Sequence, residues 1–435
     1  MLSRVTVGYR PVNKSQRFKA LLETGYFPEE LPPPFTTSDI ATYRGSIATA
    51  WAALPGEYPK TVPAQYSNPR VKNSRRILSI VNPIAQLNIS KLIADHWVEI
   101  KRRLRRTKYA IEELEIKLNE IRAVPPPDRT LLGLRRLEIS AAYDHVLLAD
   151  ISRFYGTLYT HAIPWALHTK NWCKSNLNNK AAYEGTLGAR LDKAVRKGQD
   201  NQTLGIPVGP DTSRIISEIV GVAIDENLPG QLSSNGKRAF RFVDDWHIGF
   251  DSIGEAESAV ASIAAACRIY ELELNFDKTR ILNSSSSVGT LWPIELREHR
   301  FHTTTFWQSR SLDHYFTMAF QFAEDNPEDN VLDFAVKRSN SVWVKPDNWH
   351  SYETFLLRAV RLNPTVLPAV VQILVSYNYS GYIVGKERIK KLIEDFIEKS
   401  VPLAPPRRDS VVLVSRKSTP HQPTETNSRR CVDGG

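Results

Sequence analysis

Arg238-Ala-Phe-Arg-Phe-Val-Asp-Asp-Trp-His-Ile-Gly-Phe250 decides the fold. Phe240, Phe242 and Val243 lie on one side of Asp244-Asp245, and Trp246, Ile248 and Phe250 follow at alternate positions. Aromatic and branched residues in that pattern predict two short strands, so the stretch is expected to form a hairpin with adjacent carboxylates at its turn. Rigid, exposed acids of this kind suit hard divalent cations. An Asp-Asp pair also makes a good turn by itself, and the rest of the chain has to separate the two readings.

A second acid stands in a matching setting. His145-Val-Leu-Leu-Ala-Asp150 is a strand of the buried type that ends on a carboxylate. Phosphoryl transfer with two divalent ions roughly 4 Å apart needs carboxylates from two neighbouring strands. Asp150, Asp244 and Asp245 supply that set; Asp150 alone has a helix or turn cap as its minority reading. Tyr155, five residues on, is placed for a ring under a nucleotide sugar, where it would exclude a 2′-hydroxyl. Phe154 is the likelier core aromatic of the two.

Gly205-Ile-Pro-Val-Gly-Pro-Asp-Thr-Ser213 reads as a rigid loop whose backbone approaches a bound pair closely, and a helix is expected behind it from Ser213 to Ile224. It lacks the pattern of a P-loop. Leu272 to Leu282 is expected to be a strand interrupted by Asp277-Lys278-Thr279-Arg280. Lys278 is a candidate for offsetting charge at a leaving group, against the plain reading of a solvated lysine.

The 435 residues are 42% hydrophobic and 24% charged, which fits a folded chain of two or three domains. The net charge of +10 favours nucleic acid as partner over a membrane. Cys173, Cys267 and Cys431 form no CxxC pair, so neither a zinc site nor a disulfide framework is expected. No leader-like N-terminus and no long apolar run stands in the chain, and a cytoplasmic protein is expected.

Gly25-Tyr-Phe-Pro-Glu-Glu-Leu-Pro-Pro-Pro-Phe35 is expected to be extended and to pack its aromatics on another surface. Ile77 to Pro83 reads as a strand, followed by a helix to about Trp97. Six of the eight residues from Lys101 to Lys108 are cations (Lys101, Arg102, Arg103, Arg105, Arg106 and Lys108), a run suited to tracking phosphates or to forming a solvated face. Ile111, Leu114, Leu118 and Ile121 predict an amphipathic helix from Tyr109 to Arg122. A helix is also expected from about Ile253 to Glu271. Beyond Leu291 the pattern is helical, over 311–323, 351–362, 366–377 and 386–399. A disordered tail is expected from Ala404.

Four of these stretches, in order, resemble motifs A, B, C and D of reverse transcriptases: Asp150-Ile-Ser-Arg-Phe-Tyr155, Gly205-Ile-Pro-Val-Gly209, Phe242-Val-Asp-Asp245 and Leu274-Asn-Phe-Asp-Lys278. Gly25 to Pro33, the Gly205 loop and Tyr159-Thr-His-Ala-Ile-Pro-Trp-Ala-Leu-His168 are similar to prokaryotic defence-associated reverse transcriptases of the abortive-infection and "unknown group" lineages. The resemblance covers roughly residues 15–290.

It implies an α+β fold: right-hand polymerase fingers and palm, an antiparallel sheet with helices, followed by an all-α C-terminal domain. The divisions expected are an N-terminal extension (1–75), fingers (76–142), palm (143–290), a helical repeat-like domain (291–403) and the tail (404–435). It implies two Mg²⁺ ions on Asp150, Asp244, Asp245 and the Ile151 carbonyl, and Tyr155 as the sugar gate. Pro207 and Gly209 would face the template–nucleotide pair, Lys278 the leaving group, and Arg135 or Arg136 the triphosphate of the dNTP. RNA or DNA would be the partner, with antiphage defence by DNA synthesis, sometimes untemplated, protein-primed or in a homo-oligomer. The chain departs from the pattern in lacking a clear primer-grip motif, with Gly289-Thr-Leu-Trp-Pro293 a weak candidate. Other readings are a palm-type RNA polymerase, a silent nucleic-acid-binding protein that keeps the fold, and a helical interaction platform at 291–402.

Overall fold

A computed structural model describes residues 12–31, 34–53, 59–70, 75–230, 232, 238–286 and 291–400. The tail expected from Ala404, Cys431, Pro32-Pro33 and Gly289-Thr290 of the primer-grip candidate lie outside the described residues.

The expected hairpin forms the edge of the central sheet. Strands β1 (Ala64–Pro69) and β2 (Arg75–Ile80) make a separate two-stranded ribbon; β3 (His145–Asp150), β4 (Ala239–Phe242), β5 (Asp245–Phe250) and β6 (Arg280–Asn283) make a four-stranded sheet in the order β4-β5-β3-β6. Its pairings are antiparallel, and the register sets Asp150 directly opposite Asp245. Trp246, Ile248 and Phe250 point to one face and are at most 1% exposed. Period-two alternation therefore fixes which side of β5 enters the core, and with it where Asp245 stands.

That core is completed by the helix Asp211–Asp225, in which every residue except Arg214 and Glu218 is buried. Ile253–Ile269 packs beside it, with Ser252 accepting a hydrogen bond from Glu255 N as its N-cap. The opposite face of the sheet is covered by Arg129–Ala142, which meets β3, β4 and β5. From Leu296 to Leu392 the helices bury a second apolar cluster of their own. The resulting architecture is α+β: palm- and fingers-like antiparallel strands with helices, then an all-helical region.

Two expectations change. Tyr109 to Arg122 is not helical. Ile111 N donates to Arg241 O at 3.0 Å and Arg241 N donates to Tyr109 O, so the edge of β4 captures backbone groups a helix would have paired internally. Leu272 to Leu282 is a strand only from Arg280: Lys278 N and Thr279 N both donate to Asn275 O, closing a turn. The β1–β2 ribbon pairs Ala64–Pro69 with Arg75–Ile80. Among the described residues no helix is long and apolar enough to cross a membrane.

Candidate active site

The turn between β4 and β5 is held in an unfavourable backbone state. Val243 has φ of 62°, a left-handed conformation that a β-branched side chain resists. Arg241 supplies the opposing force. Its buried guanidinium donates to Val243 O, to Asp225 (3.0 and 2.9 Å) and to Glu218 (3.0 and 2.8 Å). Trp246 Nε1 donates to Asp225 Oδ1 at 2.9 Å. Gly221 makes room for this: a Cβ there would lie 2.9 Å from Arg241 Nη1. Coulombic attraction to both acids overcomes the penalty of burial, so Arg241 stays charged.

With the turn fixed, Asp150, Asp244 and Asp245 offer carboxylate oxygens that all lie within 4.8 Å of one another. Burial, with the Asp150 charge next in weight, raises the Asp244 pKa to about 6. Burial and the neighbouring carboxylates also push Asp245 well up. The nearby cation is Lys278, whose Nζ lies 3.3 Å from Asp150 Oδ2 on a side chain that is 66% exposed. Three crowded acids make an all-oxygen donor set rich in negative charge. That chemistry fits a hard divalent cation. Asn275 orients the first acid, its N donating to Asp150 O at 2.7 Å and its Nδ2 to Asp150 Oδ2 at 3.2 Å. Ile151, beside Asp150, is 2% exposed and bridges to Leu274.

The acids open into a broad cleft. Its cations are Arg70, Arg75, Arg76, Arg122, Arg153 and Arg214, and Ile151, Tyr155, Val208, Gly209 and Lys278 also line it. The Tyr155 hydroxyl accepts from Ser217 Oγ at 3.1 Å, which fixes the ring on the wall. The loop after Gly205 is stitched to both sides: Ile206 N donates to Tyr155 O at 2.8 Å, and Ser79 N on β2 donates to Val208 O at 2.8 Å. Gly209 has φ of +128°, and Pro28 would stand 2.4 Å from a Cβ there, so this position requires glycine. Arg122 ties the arrangement together, donating to Phe27 O, to Gly209 O (2.9 Å) and to Asp211. Asp211 also accepts from Val124 N at 2.8 Å, and its own N donates to Gly25 O at 2.7 Å.

Several expected site residues sit elsewhere. Pro207 is buried and does not line the cleft; Val208 stands there instead. Arg135 and Arg136 are absent from its described walls. Arg135 pairs with Glu138 at 2.6 Å, and Arg136 lies 3.4 Å from His247 Nε2 on the covered face of the sheet. Burial first, then Arg136, lowers the His247 pKa to about 3. Of the run 101–108, no member lines the cleft's described walls. Lys101 pairs with Glu115, Arg105 with Glu113 (2.7 Å), and Arg103 and Arg106 with Glu226. Four of the six cations therefore brace neighbouring segments. The arginines that do face the cleft are spread from Arg70 to Arg214, and Arg122 carries no local signal beyond its charge.

Fold and site define a palm-type nucleotidyltransferase. The family described as "Reverse transcriptase (RNA-dependent DNA polymerase)" matches residues 80–306. That is more than half of the 435 residues, and the chain belongs to the reverse transcriptase family, enzymes that are RNA-directed DNA polymerases. Similar solved structures include apo telomerase from Candida tropicalis, 11% identical over 82% of this chain and 73% of that one, with a TM-score of 0.36. Telomerase from Candida albicans in complex with a fragment of telomeric RNA is 10% identical over 82% and 69%, with a TM-score of 0.33. Likenesses this distant do not bear on the chemistry of the site. No curated protein matches the chain.

Proposed function

We propose that this reverse transcriptase adds deoxynucleotides with two Mg²⁺ ions held by Asp150, Asp244 and Asp245, with the Ile151 carbonyl beside them. The observation that carries the reading is the convergence of three carboxylates within 4.8 Å at the floor of an arginine-walled cleft. Bound there, the ions would activate the attacking hydroxyl and neutralise charge building on the phosphate.

The chain's own groups would do the rest. Arg70, Arg75 and Arg76 on the β1–β2 ribbon would bind the triphosphate or the template backbone. Val208 and Gly209 would support the template–nucleotide pair. The Tyr155 ring, pinned by Ser217, would exclude the 2′-hydroxyl. Lys278 is exposed and reaches Asp150, so a swing would bring it to the leaving pyrophosphate as a proton donor. In this scheme 76–142 acts as fingers, with the ribbon from Ala64 joined to it, and 143–290 as palm; 291–400 stands where a thumb would.

The motif resemblance supports a place among prokaryotic antiphage-defence enzymes. The test incubates purified protein with Mg²⁺ and labelled dNTPs, with and without added RNA, and then denatures it. Product that needs RNA supports templated synthesis, and product that stays on denatured protein supports protein priming. An absence of DNA product under every condition rejects the reading. Phage protection that survives Asp244→Ala would favour binding over synthesis as the cellular role.

A further inference from the structure

The helices beyond Leu291 contain a column of stacked rings, closed at one end and open at the other. Trp349, 5% exposed, stacks on Tyr377 with centroids 4.5 Å apart and planes 20° from parallel. Tyr377, 2% exposed, stacks in turn on Trp343 at 4.4 Å and 9°. Tyr382 sets its edge against Trp343 at 5.7 Å. Yet Trp343 is 52% exposed. Tyr377 covers one face, Tyr382 stands nearly perpendicular to the ring, and among the described rings none stacks on the opposite face.

An indole left in water is usually mobile. This one is held. Val344 N donates to the Tyr377 hydroxyl at 2.8 Å, and the Tyr382 hydroxyl donates to Val344 O at 2.7 Å. Gln308, fully buried, donates through Nε2 to Trp343 O at 3.0 Å and accepts from Lys345 N at 2.7 Å. The backbone on both sides of Trp343 is fixed, so much of the ordering cost of stacking on it is already met.

Gln308 also links this loop to the start of the helix Thr305–Asp325, where Phe306 and Trp307 are 60% and 52% exposed. The Arg310 guanidinium lies 4.9 Å from the Phe306 ring centre and 5.8 Å from that of Trp307. From Arg300 to Leu312 the sequence carries Arg300, His302 and Arg310 and no acid. None of these residues is among the described walls of the cleft.

A flat open π face, tied through Gln308 to a helix start that bears arginine-capped aromatics, fits a nucleobase on a polyanionic strand. A duplex keeps its base faces covered, so the strand must be single. We propose that Trp343, with Trp307 and Arg310, is a base-stacking platform for single-stranded nucleic acid outside the acid-lined cleft. The proposal rests on the reading that this chain handles nucleic acid, and it predicts contacts with a strand beyond the polymerising site.

The test titrates full-length protein in EDTA, without dNTPs, into labelled oligo-dT of about 20 nucleotides, longer than a single compact binding site usually covers. The same titration is run with an abasic strand of equal length, and both are read by fluorescence anisotropy. Trp343→Ala is expected to weaken oligo-dT binding about 5- to 100-fold, the range for losing one base–aromatic stack, and to leave abasic-strand binding unchanged. Trp343→Phe is expected to recover part of the loss, with an unchanged melting temperature in both variants. Wild-type affinity for oligo-dT in Trp343→Ala overturns the proposal, whatever protein surface the face meets instead. If Trp343→Ala fails to fold, the pair Trp307→Ala and Arg310→Ala decides by the same criteria. No synthesis is measured, so a failure here stands apart from a failure of polymerisation.

Discussion

At the residue scale the chemistry turns on crowded negative charge. Asp244 and Asp245 are legible in sequence because alternating apolar residues bracket them, and Asp150 because it ends a buried strand. The groups that hold them in place are not. Arg241 looks like an outlying strand arginine, yet its partners Glu218 and Asp225 come from a helix that only the fold brings beneath it. The charge crowding sets a pH dependence. Asp244 has a folded pKa raised to about 6, above its unfolded value, so its contribution to stability is present below about pH 4 and lost as pH rises through 6. Metal-free protein should therefore melt lower at pH 8 than at pH 5, Mg²⁺ should raise the melting temperature more at pH 8, and Asp244→Asn should flatten the profile. Calorimetry at both pH values checks this; a profile unchanged in Asp244→Asn would contradict it. Tyr155→Ala should raise ribonucleotide incorporation about tenfold or more, equivalent to about 1.4 kcal/mol, while Tyr155→Phe, which keeps the ring, should not. Competition between labelled rNTP and dNTP measures the difference.

At the element scale the hairpin and the loop after Gly205 are pieces that need bracing. Arg241 is buried with two acids, and truncating one partner of such a group leaves uncompensated charge. Arg241→Met should cost about 3–5 kcal/mol in a urea unfolding experiment. Arg122 joins Phe27, Gly209 and Asp211, segments distant in sequence that meet at the cleft. Arg122→Ala should raise the KM for dNTP about tenfold with a smaller change in kcat, because it loosens a wall without touching the acids. Steady-state kinetics on primed template separates the two constants. The misread elements have the same origin. Ile111, Leu114, Leu118 and Ile121 keep helical spacing, but Ile121 is 85% exposed and Ile111 pairs beside β4. Tertiary pairing outweighed local periodicity there.

At the scale of the whole molecule, a net charge of +10 points to a polyanion, and the densest cationic run is the natural place to look. Folding pairs most of that run with glutamates and lines the cleft with arginines scattered from Arg70 to Arg214. Clustering in sequence and clustering in space differ because ion pairs across segments neutralise the first. Replacing both Arg70 and Arg76 by Ala should lower affinity for template–primer and reduce the slope of log affinity against log salt by about 0.7–0.9 per lost phosphate contact. The same change at Arg105 and Arg106 should leave that slope nearly unaltered.

The proposed function requires Asp150, Asp244 and Asp245 to form one metal-holding centre. Titration of Mn²⁺ into the full-length protein with dNTP present, followed by electron paramagnetic resonance, counts the ions at that centre. Two tightly held ions per chain are expected, the number a two-metal site requires, and both should be lost in Asp244→Asn. Equal Mn²⁺ uptake by wild type and Asp244→Asn would contradict it.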